Sequence, residues 1–138
     1  MIKSKVIHPE LLYHLSRCGH KTKILIADSN YSFVTNSPDN ANIVYLNLTK
    51  GLVDSPTILD LVLSQINVEA ATMMIYPEDF DNTVIPEYKA ILPDDIEINH
   101  LERYEFYDMA KSNDTMLVIA AGEQRRFANL ILTVGVVF

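Results

Sequence analysis

Apolar residues in this chain fall into two recurring patterns, short nearly unbroken aliphatic runs and stripes at three- and four-residue spacing. The first stripe, Leu11, Leu12 and Leu15, follows His8-Pro9-Glu10. It predicts a helix with proline at an early position, glutamate in the first turn, Arg17 at the negative end of the dipole and Gly19 as the stop. Residues 23–28, KILIAD, predict a strand buried on both faces. The stretch 29–42, SNYSFVTNSPDNAN, predicts an ordered loop of a length that often carries function. Ile43–Leu48 predicts a second strand. Asp54-Ser55-Pro56-Thr57 opens a second helix, whose apolar stripe is Ile58, Leu59, Leu61, Val62 and Ile66.

Val68–Tyr76 then predicts a third strand, Ile96–Asn99 a fourth, Thr115–Ala121 a fifth, and Asn129–Val137 a last strand expected at the centre of the sheet. Tyr104–Lys111 predicts a helix. Residues 77–95 carry Glu78, Asp79, Asp81 and Glu87 among prolines, and predict a solvated acidic face with a short helix around Glu87–Leu92. Strands alternating with helices imply an α/β fold. The expected architecture is a three-layer-like sandwich, a central mostly parallel or mixed sheet flanked by helices, in a single domain over residues 1–138.

Composition narrows the function classes. A formal net charge of −7 repels phosphate backbones and anionic membrane surfaces, so neither nucleic acid nor membrane is an expected partner. The single cysteine, Cys18, forms no internal disulfide and fits a reducing compartment. The N-terminal MIKSKVIHPE lacks the apolar core of a signal peptide, and no run reaches the about 18 apolar residues of a membrane helix, so a cytoplasmic location is expected.

Candidate chemistry is sparse. His20 is a possible general acid or base because imidazole titrates near neutral pH; the alternative is a capping or surface histidine. His8, His14 and His100 compete for that role, and the four histidines lack metal-ligand spacing. Asp28 closes an apolar strand, where α/β sheets place ligand sites; otherwise it caps the turn at Ser29-Asn30. Arg103 offers five donors to hydroxyls or a carboxylate, or is simply solvated. Gly122–Asn129, GEQRRFAN, lies between two strands and mixes acid, base, aromatic and amide, a combination suited to sugar hydroxyls but also to a polar surface loop. No phosphate loop, dinucleotide fingerprint or serine-hydrolase elbow is present. Cys18 and Met73-Met74 are expected to pack in the interior.

Taken in order, HPELL…GH, Ala27-Asp28, the NSPDN loop, LNLTKGLVDSP at 46–56, Val68–Met74, Arg103-x-x-Phe106-Tyr107 and GE…FAN at 122–129 resemble the fucose mutarotase/ribose pyranase family along nearly the whole chain. The resemblance implies an isomerase that interconverts anomers or ring forms of a free monosaccharide, with no metal or organic cofactor. It implies His20 as proton donor, and Asp28, Arg103, Phe127, Ala128 and Asn129 as sugar-binding residues. Arginine at position 103 resembles the fucose-type members, where ribose-type members tend to have histidine. A ring-shaped homo-oligomer, typically a decamer with sites near subunit contacts, is implied as well. Phe127 departs from the family's tyrosine and removes a hydroxyl; Tyr31, Tyr104 and Tyr107 are candidates to replace it. The stretch 77–101 also departs from the pattern.

One distance is implied by chain geometry alone. Eight residues separate His20 from Asp28, about 26 Å if extended. For both to touch one sugar, the chain must bend or a second subunit must contribute one of them.

Overall fold

A computed structural model describes all residues, 1–138. The elements in chain order are α1 (Pro9–Ser16), β1 (Lys23–Ala27), β2 (Asn42–Tyr45), α2 (Ser55–Leu63), β3 (Val68–Met74), α3 (Val84–Ile91), β4 (Ile98–Leu101), α4 (Arg103–Ala110), β5 (Thr115–Ala120) and β6 (Leu130–Val134). All six strands join one sheet in the order β2-β5-β1-β6-β3-β4. The pairs β1–β5, β2–β5 and β3–β4 are parallel, whereas β6 runs antiparallel to both β1 and β3. The sheet is therefore mixed, and β6 is central as expected.

Strand alternation divides the interior between two faces. Ile24 and Ile26 of β1 enter a core with Leu11 and Leu15 of α1, Ile58, Leu59 and Val62 of α2, and Val84, Ile85 and Tyr88 of α3. Leu25 and Ala27 face the other way, onto Tyr31, Met74, Phe106 and Ala110. Three helices thus cover one face, while α4 and the loop after β1 cover the other. Both faces of β1 are buried, which explains its unbroken apolar run.

Helix starts follow local chemistry. The His8 Nδ1 accepts from Leu11 N at 3.1 Å, and the Asp54 carboxylate accepts from Thr57 N at 3.1 Å, each followed by proline in the first turn. Several boundaries differ from the pattern-based expectation: β4 lies at Ile98–Leu101 and not Ile96–Asn99, β3 stops at Met74 before Tyr76, and β6 is Leu130–Val134 within the expected Asn129–Val137. α1 ends at Arg17, whose N–H bonds to His14 O, and Gly19 lies beyond the helix; the left-handed residue there is Lys21, at φ 71°. The second strand stops at Tyr45: Leu46 N–H makes a last bond to Ala120 O, and Val53 N–H then returns to Leu46 O, so residues 46–53 turn back. α3 begins at Val84, three residues before Glu87, where Asn82 Oδ1 accepts from Val84 N at 3.2 Å. Cys18 lies just past α1 and is half-buried; burial, only partly opposed by Arg17, pushes its thiol to about 11.

Candidate active site

The C-terminal end of β1 and the N-terminal end of β6 meet because these neighbours are antiparallel. That junction is locked by one bond: Asp28 N donates to Asn129 Oδ1 at 2.7 Å, across 101 residues of sequence. The Asn129 amide is thereby oriented with its Nδ2 directed away from that bond. Beside it opens a cavity of about 450 Å³, lined by Asp28, Asn30, Tyr31, Met74, Arg103 and Asn129, with Tyr107, Arg126 and Phe127 among its other walls. That size falls in the usual range for small-molecule sites.

Four of the six residues singled out in the sequence, Asp28, Arg103, Phe127 and Asn129, therefore share one pocket. Ala128 is fully buried behind it. Its carbonyl accepts from the Tyr88 hydroxyl at 2.6 Å. His20 lies elsewhere. It precedes β1 whereas Asp28 follows it, and the five-residue strand between them spans about 16 Å. The His20 Nε2 donates to Glu69 Oε2 at 2.9 Å, on β3, and Lys21 also bonds to Glu69. A carboxylate is acceptor-only, so Nε2 carries hydrogen and Nδ1 is the nitrogen left to exchange a proton. Both donors hold the Glu69 carboxyl below the usual range.

Asp28 is 2% exposed yet borders the pocket. Burial pushes its carboxyl above the ordinary aspartate range; the N–H groups of Asn30, Ala128 and Tyr31 pull the other way, while Glu123 adds to the rise. Asn30 N donates to Asp28 Oδ1 at 2.9 Å, so the turn-capping role and the pocket position coexist in one side chain. Among the tyrosines considered as substitutes for a hydroxyl at 127, Tyr107 and Tyr31 line the pocket. The Tyr31 hydroxyl is engaged with Asn36 O at 2.6 Å, and Tyr104 is 79% exposed outside the lining.

The loop after β5 is braced from beneath by the acid and a base of the Gly122–Asn129 cluster, together with Ser55 of the second helix start. Glu123, 3% exposed, accepts from Ser55 Oγ at 3.0 Å, from Arg125 Nε at 2.9 Å and from Arg125 Nη2 at 2.9 Å; Arg125 also pairs with Glu87. Burial pushes the Glu123 carboxyl up, but Arg125 and Ser55 more than reverse that and hold it at about 2. A depressed carboxyl pKa stabilises the fold fully above its unfolded value of 4.5, and that contribution disappears as pH falls toward 2. Glu123→Gln should therefore be less stable than wild type at pH 6, with the gap narrowing between these limits in urea titrations run across pH.

Tyr88 completes the brace, its hydroxyl lying 2.7 Å from Ser55 Oγ as well as bonding to Ala128 O. Tyr88→Phe leaves the buried Ala128 carbonyl without its donor, an expected loss of about 1–3 kcal/mol in urea unfolding at fixed protein concentration. Its only sequence signal was an aromatic residue on the short helix of the acidic stretch. Met74, expected only as core, also forms part of the pocket wall.

The chain matches the RbsD / FucU transport protein family over residues 1–137. It is 34% identical to the fucose mutarotase of Mus musculus, over 95% of this chain and 90% of that protein. It is 28% identical to the D-ribose pyranase of Petrotoga mobilis, over the whole of both chains. Among solved structures, Bacillus subtilis RbsD complexed with D-ribose superposes with a TM-score of 0.86 at 26% identity, covering both chains fully. The fucose mutarotase of Streptococcus pneumoniae in complex with L-fucose gives 0.82 at 27% identity, again over both chains. A match that runs from the first residue to the penultimate one, in sequence and in fold, makes this chain a member of the RbsD / FucU family.

Proposed function

We propose that this protein is a monosaccharide mutarotase or pyranase, acting on a fucose-type sugar first and a ribose-type sugar next. The observation that carries this is the pocket at the β1–β6 junction, where a desolvated carboxylate, an oriented amide, a guanidinium and an aromatic ring converge. Anomer exchange needs a proton taken from the anomeric hydroxyl and a proton delivered to the ring oxygen, after which the ring opens, the aldehyde rotates and the ring recloses. Asp28 and Asn129 hold hydroxyls, Arg103 donates to them, and Phe127 covers the apolar face of the ring. His20 supplies the proton transfer through Nδ1. Since His20 and Asp28 sit at opposite ends of β1, the His20 serving a given pocket belongs to a neighbouring copy, so the active form is a homo-oligomer, decameric as the family resemblance implies.

The test is saturation-transfer NMR on the anomeric protons of L-fucose, D-ribose and D-galactose. Faster exchange with at least one sugar is expected; unchanged exchange with all three would sink the proposal. A non-catalytic sugar-binding role is the second reading, favoured by the missing hydroxyl at Phe127. It predicts saturable binding with no gain in exchange rate.

A further inference from the structure

The pocket holds one cation more than hydroxyl recognition uses. Arg103 and Arg126 both line it, and Asp28 is the only carboxylate in its wall. Neither guanidinium has a carboxylate within 4.0 Å, whereas the adjacent Arg125 is consumed by Glu123 and Glu87. In a chain of net charge −7, a pocket wall with two unpaired arginines and one carboxylate reverses the local sign.

Arg126 is placed by construction. Its guanidinium carbon lies 5.1 Å from the Phe80 ring centroid and 5.8 Å from that of Phe127, and its N–H donors bond to no acceptor in the chain. Phe127 adopts φ 58°, a left-handed conformation that is strained for a non-glycine residue. The strained turn is strapped on consecutive carbonyls, Asn82 Nδ2 donating to Phe127 O at 3.1 Å and Tyr88 to Ala128 O at 2.6 Å. The two straps hold the backbone that follows Arg126, whose side chain lines the pocket.

We propose that Arg126 makes this a site for an anionic sugar, a monosaccharide whose carboxylate or phosphate is gripped by the Arg126 guanidinium while its ring lies against Asp28 and Asn129. A planar guanidinium with free donors matches either anion in a two-point hydrogen-bonded pair. A neutral sugar leaves that capacity unused. The proposal rests on the pocket being the sugar site of the mutarotase reading, and its test separates the two.

The full-length protein is titrated calorimetrically at low salt with D-galactose and D-galacturonate, and with D-ribose and D-ribose 5-phosphate. Anomer exchange is followed by NMR on D-galactose, D-galacturonate and D-ribose. At least one anionic sugar should bind about tenfold or more tightly than its neutral parent, and added salt should shrink the difference. The galacturonate and ribose-phosphate arms show whether carboxylate or phosphate is the preferred group. Arg126→Gln should bring the anionic-to-neutral ratio close to one, and Arg126→Lys should restore part of it. Circular dichroism and a melting curve confirm that both variants fold, as an exposed, unpaired side chain leads one to expect. Equal or weaker binding of both anionic sugars, or a preference that survives Arg126→Gln, overturns the proposal. Arg126-dependent binding without faster exchange would sustain it while refuting the catalytic role.

Discussion

His20→Ala is expected to lower the catalysed rate of anomer exchange by about 10²–10⁴-fold, the range that general acid–base help contributes. Sugar binding should survive in large part, because Asp28, Arg103 and Asn129 remain in the pocket wall. Stability should change little, since the His20–Glu69 pair is solvent-exposed and such pairs contribute at most about 1 kcal/mol. Asp28→Asn should also be inactive, through the opposite end of β1. Mixing the two inactive variants, after dissociation and reassembly, then gives a sharper result than either alone. If His20 of one copy serves Asp28 of the next, hybrid assemblies contain some sites with both native groups, and roughly a quarter of wild-type activity returns at equal mixing. If one chain supplied both groups, no mixture would recover any. The spacing across β1 leads us to expect recovery.

Gly122→Ala is the second large effect, and it acts on folding. A Cβ at this position would collide with the Leu52 carbonyl group and lie 2.7 Å from Thr49 O. Those atoms are backbone, and they cannot rotate away. They are also tied down, Gly122 N donating to Val53 O at 2.7 Å and Gly51 N to Gly122 O at 2.8 Å. The residue that follows is Glu123, so a shift here propagates to the Ser55–Glu123–Arg125 brace under the pocket. We expect a loss of about 3 kcal/mol or more, at or beyond the upper end for overpacked sites, read as a lowered urea midpoint. A midpoint unchanged from wild type would mean that the 49–53 turn is free to move. The same glycine in an open loop would tolerate alanine, as Gly19 should, where a Cβ meets nothing within 4 Å.

Local pattern carried much of the architecture. The Ile24/Ile26 against Leu25/Ala27 alternation assigns each side chain of β1 to a face, and the period of two makes that readable without any partner strand. Asp54 and His8 announced their helices because a cap bonds to N–H groups only three residues away. The acidic stretch read least well. α3 is stabilised at its start by Asn82, and its Tyr88 and Glu87 are anchored to residues on the far side of the sequence, so no periodic signal marks them as structural.

The candidate site divides along the same line. Asp28 was legible from an apolar run stopping at a polar side chain, and Asn129 from its place in the mixed Gly122–Asn129 cluster. Arg126 and Arg125 were not distinguishable, because adjacent arginines differ only in what they meet after folding: one is neutralised by Glu123 and Glu87, the other is left on two aromatic rings. The sequence by itself determined the alternation of strands and helices, the helix caps, the family resemblance and the polar ends of β1 and β6. Only the tertiary structure decided that β6 runs antiparallel between β1 and β3, that Asp28 and Asn129 are bonded partners, and that His20 faces away from both. Caps and alternation act over a few residues and leave their mark in the local pattern. Strand order and the Asp28–Asn129 bond join residues about a hundred positions apart, and those partners are chosen by how the whole sheet closes around its core.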